Sequence, residues 1–491
     1  MEFAEQLRII EAAQGDPAKL ALATVDLAYP DLPSAERAAL RAALEAAAIA
    51  HWCDEAILAA LLETSPEESG TQLVRLQALR VVERFPARGD KAINVHEASR
   101  LALRTSLAYG AAERFRAWSA RAAAYWAADP SAAGRIEWIY HLLSSDPDRG
   151  ASELESLDRR WSSEAHPEDR YALAAALGEL EKAGLLQGRA RVWVLLVIAW
   201  TRASRGESSQ LADVARQTLC LARAATDPRA EADAQCLLGD ALRAQGQLKP
   251  AQRAFAENLA ISHRLARQNP SSAGWQRELA VAHSRFGDVL QERGQFTAAQ
   301  AAFAKCLEIS RRLAEYDPSN AGWQRKLAVA YSRVGGLLQA QRHLEAAQEA
   351  FVECLAISRR LAKHDPSNAG WQRDLAVAYH RVCCVLQAQG EREAAQAALA
   401  ETLAISRRLA EQDPSNADWQ GELAVASWWQ AALHMQRGNP QMAVGFYEDA
   451  SRILGALTEK APHVVQWAGD RDAVDAALAR CRLMIESGKS S

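Results

Sequence analysis

Apolar residues in the second half of the chain recur at helical spacing. Within residues 323–370, Leu327, Tyr331, Val334 and Leu338 follow one another at steps of four, three and four, and Ala347, Phe351 and Leu355 at steps of four. Such runs mark one face of a helix, so the segment predicts a helix pair. The pattern returns every 48 residues: Trp275, Trp323, Trp371, Trp419 and Trp467 keep that step, as do Pro270, Pro318, Pro366, Pro414 and Pro462. The stretch starting at Trp323 matches the next at 33 of 48 positions, which implies duplication of one module. Because stacked modules bury their apolar faces against one another, the expectation is an all-α, α-α superhelix with a long binding surface.

The breaks between helices have their own chemistry. Gly246, Gly294, Gly390 and Gly438 stand where the first helix of each pair ends, with Arg342 as the exception; a residue at positive φ terminates a helix there. At the other boundary, Asp-Pro-Ser-Asn places Pro318, Pro366 and Pro414 where the preceding helix cannot continue, and the Ser-Asn that follows suits the cap of the next helix.

These repeats resemble the tetratricopeptide family, whose signature sets Trp-x2-Leu-Gly-x2-Tyr before Ala-x3-Phe. Gly239, Gly287 and Gly335 occupy the small position, followed by Leu242, Leu290 and Leu338. Ala251, Ala299, Ala347, Ala395 and Ala443 precede Phe255, Phe303, Phe351, Leu399 and Tyr447 by four residues. The usual repeat is about 34 residues, so both helices must be longer here and the second gains about two turns. The segment from Trp467 to Ser491 reads as a capping helix.

The chain has 491 residues, 49% hydrophobic and 24% charged, which suits a folded chain with more than one structural region. Its 57 basic residues nearly balance 61 acidic ones, for a net charge of −4. Nothing attracts nucleic acid or anionic lipid in general, so partners must be recognised locally. The first ten residues, MEFAEQLRII, carry acids where a secretory signal is basic, and the longest apolar run, Val192–Trp200, has nine residues. A bilayer span needs about 20, so no membrane association and a cytoplasmic location are expected, with the eight cysteines reduced.

Residues 1–226 are helical in pattern but outside the 48-residue register. The segment around Gly15-Asp16-Pro17, and the stretch from Leu73 to Arg104 with its Gly89-Asp90 turn and Val95-His96-Glu97, resemble the helical and winged-helix regions of STAND-type, NB-ARC-related signalling ATPases. Three divisions are expected: residues 1–145 as a winged-helix-like module, from the resemblance, and, from the repeat pattern, 146–226 as a helical connector with a degenerate helix pair and 227–491 as the solenoid. The resemblance also implies nucleotide sensing by His96, whereas the residues alone favour an ordinary structural histidine. The one near match to a phosphate loop, Gly488-Lys489-Ser490, has Leu483 at the first glycine position, and no helix follows it to present backbone amides.

No catalytic constellation is assembled, so a non-enzymatic protein without cofactors is expected. The tryptophan ladder suits packing between repeats. The stronger binding candidates are Arg285, Arg333 and Arg381, with Ser284, Ser332 and His380 beside them and Gln291, Gln339 and Gln387 further along the same helices. Guanidiniums at regular spacing grip either acids on a protein or peptide partner or neighbouring acids of this chain. In the last repeat these columns become Trp428 and Trp429, followed by His434 and Met435; the expectation is an exposed Trp428 that anchors a ligand and a Trp429 that seals the array. The arginine pairs at 311–312, 359–360 and 407–408 suit a solvated outer face. The chain is thus expected to capture a protein or peptide bearing acidic groups, its N-terminal module docking a nucleotide-binding or effector protein. The alternative is the regulatory part of a STAND ATPase whose nucleotide-binding domain lies outside this chain.

Overall fold

A computed structural model describes residues 3–164, 167–204, 210–461 and 465–488; Pro462 and the Lys489-Ser490 pair lie outside them. The described residues hold 23 α-helices and a single two-stranded sheet. The chain divides into two compact units, residues 1–254 and 255–491.

The first unit opens with α1 (Phe3–Ala12), α2 (Pro17–Ala28), α3 (Ser34–Ala47), α4 (Glu55–Leu62) and α5 (Pro66–Leu76). Gly15, at φ +75°, turns the chain so that Asp16 Oδ1 accepts from the amides of Ala18 and Lys19, capping α2 with Pro17 in its first turn. A hairpin of β1 (Val82–Arg84) and β2 (Ile93–Val95) follows, pairing Val82 with Val95 and Arg84 with Ile93. Cys53 adds one antiparallel rung against Ile93, with both amide–carbonyl bonds at 2.8 Å. Gly89, at φ +129°, turns the chain between the strands. Then come α6 (Glu97–Gly110), α7 (Ala112–Trp126), α8 (Ala132–Ser145), α9 (Pro147–Glu164), α10 (Pro167–Lys182), α11 (Gly188–Ser204), α12 (Leu211–Ala224) and α13 (Pro228–Ala244). One apolar core, including Leu44, Ile57, Leu76, Ile93, Leu107 and Trp118, joins the first helices to the hairpin.

A buried ionic cluster ties α6, α8 and α10 together. Arg100 grips Glu179 through two bonds of 2.8 and 2.9 Å and reaches Tyr140 Oη at 3.4 Å. The fully buried Arg104 donates to the Ile49 carbonyl and lies over the Tyr140 ring. His51, just after α3, contacts Glu137 at 2.7 Å and Glu179 at 3.3 Å. Burial opposes charge on both carboxylates, but His51 and Arg100 prevail and hold Glu179 down at about 2; His51 and His141 hold Glu137 lower still. Burial alone would depress His51, yet Glu137 and Glu179 raise it. His141, fully enclosed, is depressed to about 4 because burial outweighs its Glu137 contact.

After α14 (Leu248–Gln268), the second unit is a run of long helix pairs: α15 (Ala273–Glu292) with α16 (Phe296–Tyr316), α17 (Ala321–Ala340) with α18 (Leu344–His364), α19 (Ala369–Gln389) with α20 (Arg392–Gln412), and α21 (Ala417–Gln436) with α22 (Pro440–Lys460). Helix α23 (Val465–Gly488) packs on α22 and covers the last pair, its Val474, Leu478 and Cys481 entering the terminal core. Second helices of 21 residues carry the added length expected of the 48-residue module.

Within each interhelix turn, Gly294, Gly390 and Gly438 sit at φ +71°, +85° and +71°, and Arg342 takes the same left-handed conformation at +65°. At the Asp-Pro-Ser-Asn turns the labour is divided. Asp317 Oδ1 accepts from the Ser319 amide, while Asn320 caps the next helix by accepting from the Trp323 amide at 3.1 Å. The pattern repeats at Asp365 with Asn368 and at Asp413 with Asn416. Trp323, Trp371 and Trp419 are half-buried in the apolar clusters between successive pairs.

Candidate functional site

The 48-residue register places equivalent side chains of the first helices α15, α17, α19 and α21 in columns, and two of the spaces between these helices are cavities. The first, of about 150 Å³, lies between α15 and α17 over α16 and is lined by Arg277, Ser284, Arg285, Lys326, Val329 and Arg333 among others. The second, of about 400 Å³, lies between α19 and α21 and is bounded by α23; Arg373, His380, Glu422, Trp429, Trp467 and Asp470 contribute to it.

The arginine column is partly engaged within the chain. Arg333 meets Asp288 of the preceding repeat at 3.1 Å while its side chain stays 43% exposed. Arg285 is half-buried in the first cavity wall, and Arg381 is exposed. Ser284 lines the first cavity and Ser332 is half-buried on α17. His380 stacks on Trp429 with ring centroids 3.5 Å apart, and burial, with Arg381 adding, depresses it to about 4, so it is neutral at pH 7. Gln291, Gln339 and Gln387 stand at the last turns of their helices, where their carbonyls accept from the turn residues, and they line neither cavity.

The two tryptophans differ from expectation. Trp428 packs half-buried against the terminal core with Tyr447 and Trp467, whereas Trp429 lines the second cavity. The register explains the exchange: position 429 continues the column of Arg333 and faces back toward the preceding repeat, while 428 continues that of His380 and faces forward, where α23 covers it. His434 and Met435 are drawn into packing as well, His434 stacking on Phe446 at 5.6 Å.

Two features escaped the sequence reading. Val281, Val329, Val377 and Val425 form a column on the same face, with Val329 41% and Val377 47% exposed; a valine kept at each step within an alanine-rich stretch was the available signal. The exposed arginine pairs also make contacts between helices. Arg311 and Arg359 donate to the Tyr331 and Tyr379 hydroxyls at 3.0 and 2.9 Å, and Arg360 and Arg408 donate to the Gln324 and Gln372 side chains at 2.6 Å. In the first unit, His96 is exposed at the start of α6, its Nδ1 4.0 Å from Glu83 on β1.

With this geometry in view, the array is a solenoid of tetratricopeptide-like helix pairs: the family model described as Tetratricopeptide repeat matches residues 278–351, from α15 into α18. Among solved structures, the fold is similar to a Signal Transduction ATPase with Numerous Domains (STAND) protein with a tetratricopeptide repeat sensor from Pyrococcus horikoshii. That likeness has 12% identity and a TM-score of 0.53, covering 99% of this chain and 69% of that one. BtubC from P. vanneervenii is similar at 18% identity over 52% of this chain and 90% of its own, with a TM-score of 0.39. A Rap protein complexed with Competence and Sporulation Factor is similar at 12% identity over 78% of this chain and 99% of its own, with a TM-score of 0.44. No curated protein matches in sequence. Among the described residues, no helix is long and apolar enough to cross a membrane.

Proposed function

We propose that this chain is a non-enzymatic, cytoplasmic scaffold or sensor that captures a protein or peptide on the face formed by the first helices of its repeats. The observation that carries this reading is the conjunction of a valine column, exposed at Val329 and Val377, with arginines at the same step, around cavities open between α15 and α17 and between α19 and α21. An apolar strip supplies contact area, and planar cations beside it fix acidic groups through paired hydrogen bonds. The working set is Arg285, Arg333 and Arg381 with Ser284, Ser332 and His380, and Trp429 takes the place first given to Trp428.

The proposal keeps residues 1–145 as a winged-helix-like module, 146–226 as connector and 227–491 as solenoid, the first docking a nucleotide-binding or effector protein. The test is capture of proteins from a cell extract by the wild type and by an Arg285, Arg333, Arg381→Ala variant, with circular dichroism as the fold control because Arg333 partners the buried Asp288. The bound set is expected to be lost with helicity kept; an unchanged set removes the arginines from the site.

Similarity to a STAND protein along 99% of this chain favours a second reading, the regulatory part of such an ATPase, in which His96 senses nucleotide. Calorimetry separates the two. Micromolar binding of ATP or ADP by this chain alone, abolished by His96→Ala, supports the second and ends the pure scaffold.

A further inference from the structure

One column of the array changes sign at a single register. Glu278, Lys326, Asp374 and Glu422 occupy equivalent positions in four successive first helices, and the last three each face an arginine column on the helix before, at Arg277, Arg325 and Arg373. In the later two registers the facing groups neutralise each other: Arg325 bonds Asp374 through two nitrogens, one at 3.1 Å, and Arg373 bonds Glu422. In the first register Lys326 stands where the acid belongs, and Arg277 turns instead to its own neighbour Glu278 at 2.7 Å. The arginine column ends at Gly421, where Trp467 of α23 fills the space, its Nε1 3.4 Å from where a side-chain carbon of residue 421 would lie.

The two cavities inherit opposite character. Arg277, Arg285, Lys326 and Arg333 line the first and no acid does, although Arg277 pairs with Glu278 and Arg333 with Asp288 beside it. The second gathers Asp418, Glu422 and Asp470 against Arg373 alone, with Trp467 and the His380-stacked Trp429 in its wall. Like charges crowd at each end. Burial and then Arg277 and Arg325 hold the Lys326 ammonium below the usual lysine range; burial, with Asp418 and Asp374 adding, lifts Glu422 despite Arg373. A ligand charge of opposite sign relieves each.

We infer that the groove takes one extended peptide segment in a set placement, a carboxylate-bearing stretch at the cavity between α15 and α17 and a cationic, aromatic-compatible side chain at the cavity between α19 and α21. The valine column runs between the two ends and suits a short apolar or neutral stretch. This inference rests on the proposed groove reading and adds the chemistry and placement of the occupant. The second cavity suits arginine or lysine in particular, because its three carboxylates outnumber Arg373 and can pair with a cation, with aromatic rings in the same wall.

The probe is a fluorescein-labelled synthetic peptide with a four-residue Asp/Glu block and an Arg/Lys block separated by about eight neutral residues, long enough to span two repeats at helix spacings near 10 Å. A benzophenone beside one block or the other reports placement by crosslinking and mass spectrometry. Expected are saturable binding, crosslinks from the acidic end to 277–333 and from the basic end to 373–470, and an inverted map in the Lys326→Glu, Glu422→Lys double variant. Lys326→Glu alone should weaken binding at least tenfold, with circular dichroism unchanged, since the other registers already hold an acid there. Crosslinks spread evenly along the groove, yet lost in the triple arginine variant, overturn the placement and leave the groove reading standing. Absence of saturable binding, or crosslinks confined to other surfaces, overturns both for peptide ligands.

Discussion

Gly335 shows how one repeat position is set by its partner across the helix pair. A methyl group there would meet the Phe351 ring at 2.7 Å, and Gly287 stands in the same relation to Phe303 at 2.5 Å. One repeat further on, Cys383 replaces the glycine and Leu399 replaces the phenylalanine, both buried in one cluster. Cys383 is thus explained by volume. Gly335→Ala is expected to cost about 1–3 kcal/mol by overpacking, and Gly335→Ala with Phe351→Leu should recover most of it. Thermal unfolding of the two variants checks this, and equal destabilisation by both would refute the volume argument. Trp323, half-buried and not enclosed, carries less than a full core aromatic.

At the scale of elements, the charged cluster joining α6, α8 and α10 makes the first unit sensitive to acid. The Glu179 carboxyl sits at about 2 against an ordinary 4.5, so its contribution is present above pH 4.5 and is lost as pH falls toward 2. Discounted for the carboxylate's partial exposure to solvent, the shift corresponds to on the order of 2–3 kcal/mol. His141 acts in the same direction: depressed from 6.5 to about 4, it stabilises above pH 6.5 and loses that contribution as pH falls through this window. His51 works oppositely, since its raised value gives stability below pH 6.5 that disappears as pH rises through the folded value. Stability followed by denaturant unfolding should therefore fall from pH 6.5 downward, most steeply below 4.5, and Glu179→Gln should flatten the lower part of the curve. A variant with the wild-type slope would place the acid sensitivity elsewhere.

For the whole repeat array, a 48-residue module is the natural quantum of change. Removing residues 323–370 joins Gly322 to Trp371 and leaves every remaining helix paired with a neighbour of the same register, so the protein should stay helical and unfold cooperatively at a lower temperature. It also brings Asp374 opposite Arg277, restoring the neutral pairing seen in the later repeats, so acidic-peptide binding at the first cavity should be lost while the fold is kept. Removing only residues 323–346 leaves α18 without its partner and is expected to yield aggregated protein on size exclusion. Equal behaviour of the two deletions would argue against the modular stack.

What the sequence determined by itself was the periodic part. The helix pairs, the positive-φ turns with Arg342 as their exception, the asparagine caps, the tetratricopeptide match and the capping helix all follow from local rules repeated at a constant step, because each residue's environment is set by neighbours a fixed distance along the chain. Tertiary structure alone decided whatever depends on contact between segments far apart in sequence. It turned Trp429 toward a cavity and Trp428 toward α23, gave the second-helix arginines partners on the first helices, and gathered His51, Arg100, Glu137 and Glu179 into one buried cluster. The sign change from Lys326 to Asp374 to Glu422 was written in the sequence, yet it acquired meaning only once packing showed which arginine each of them faces.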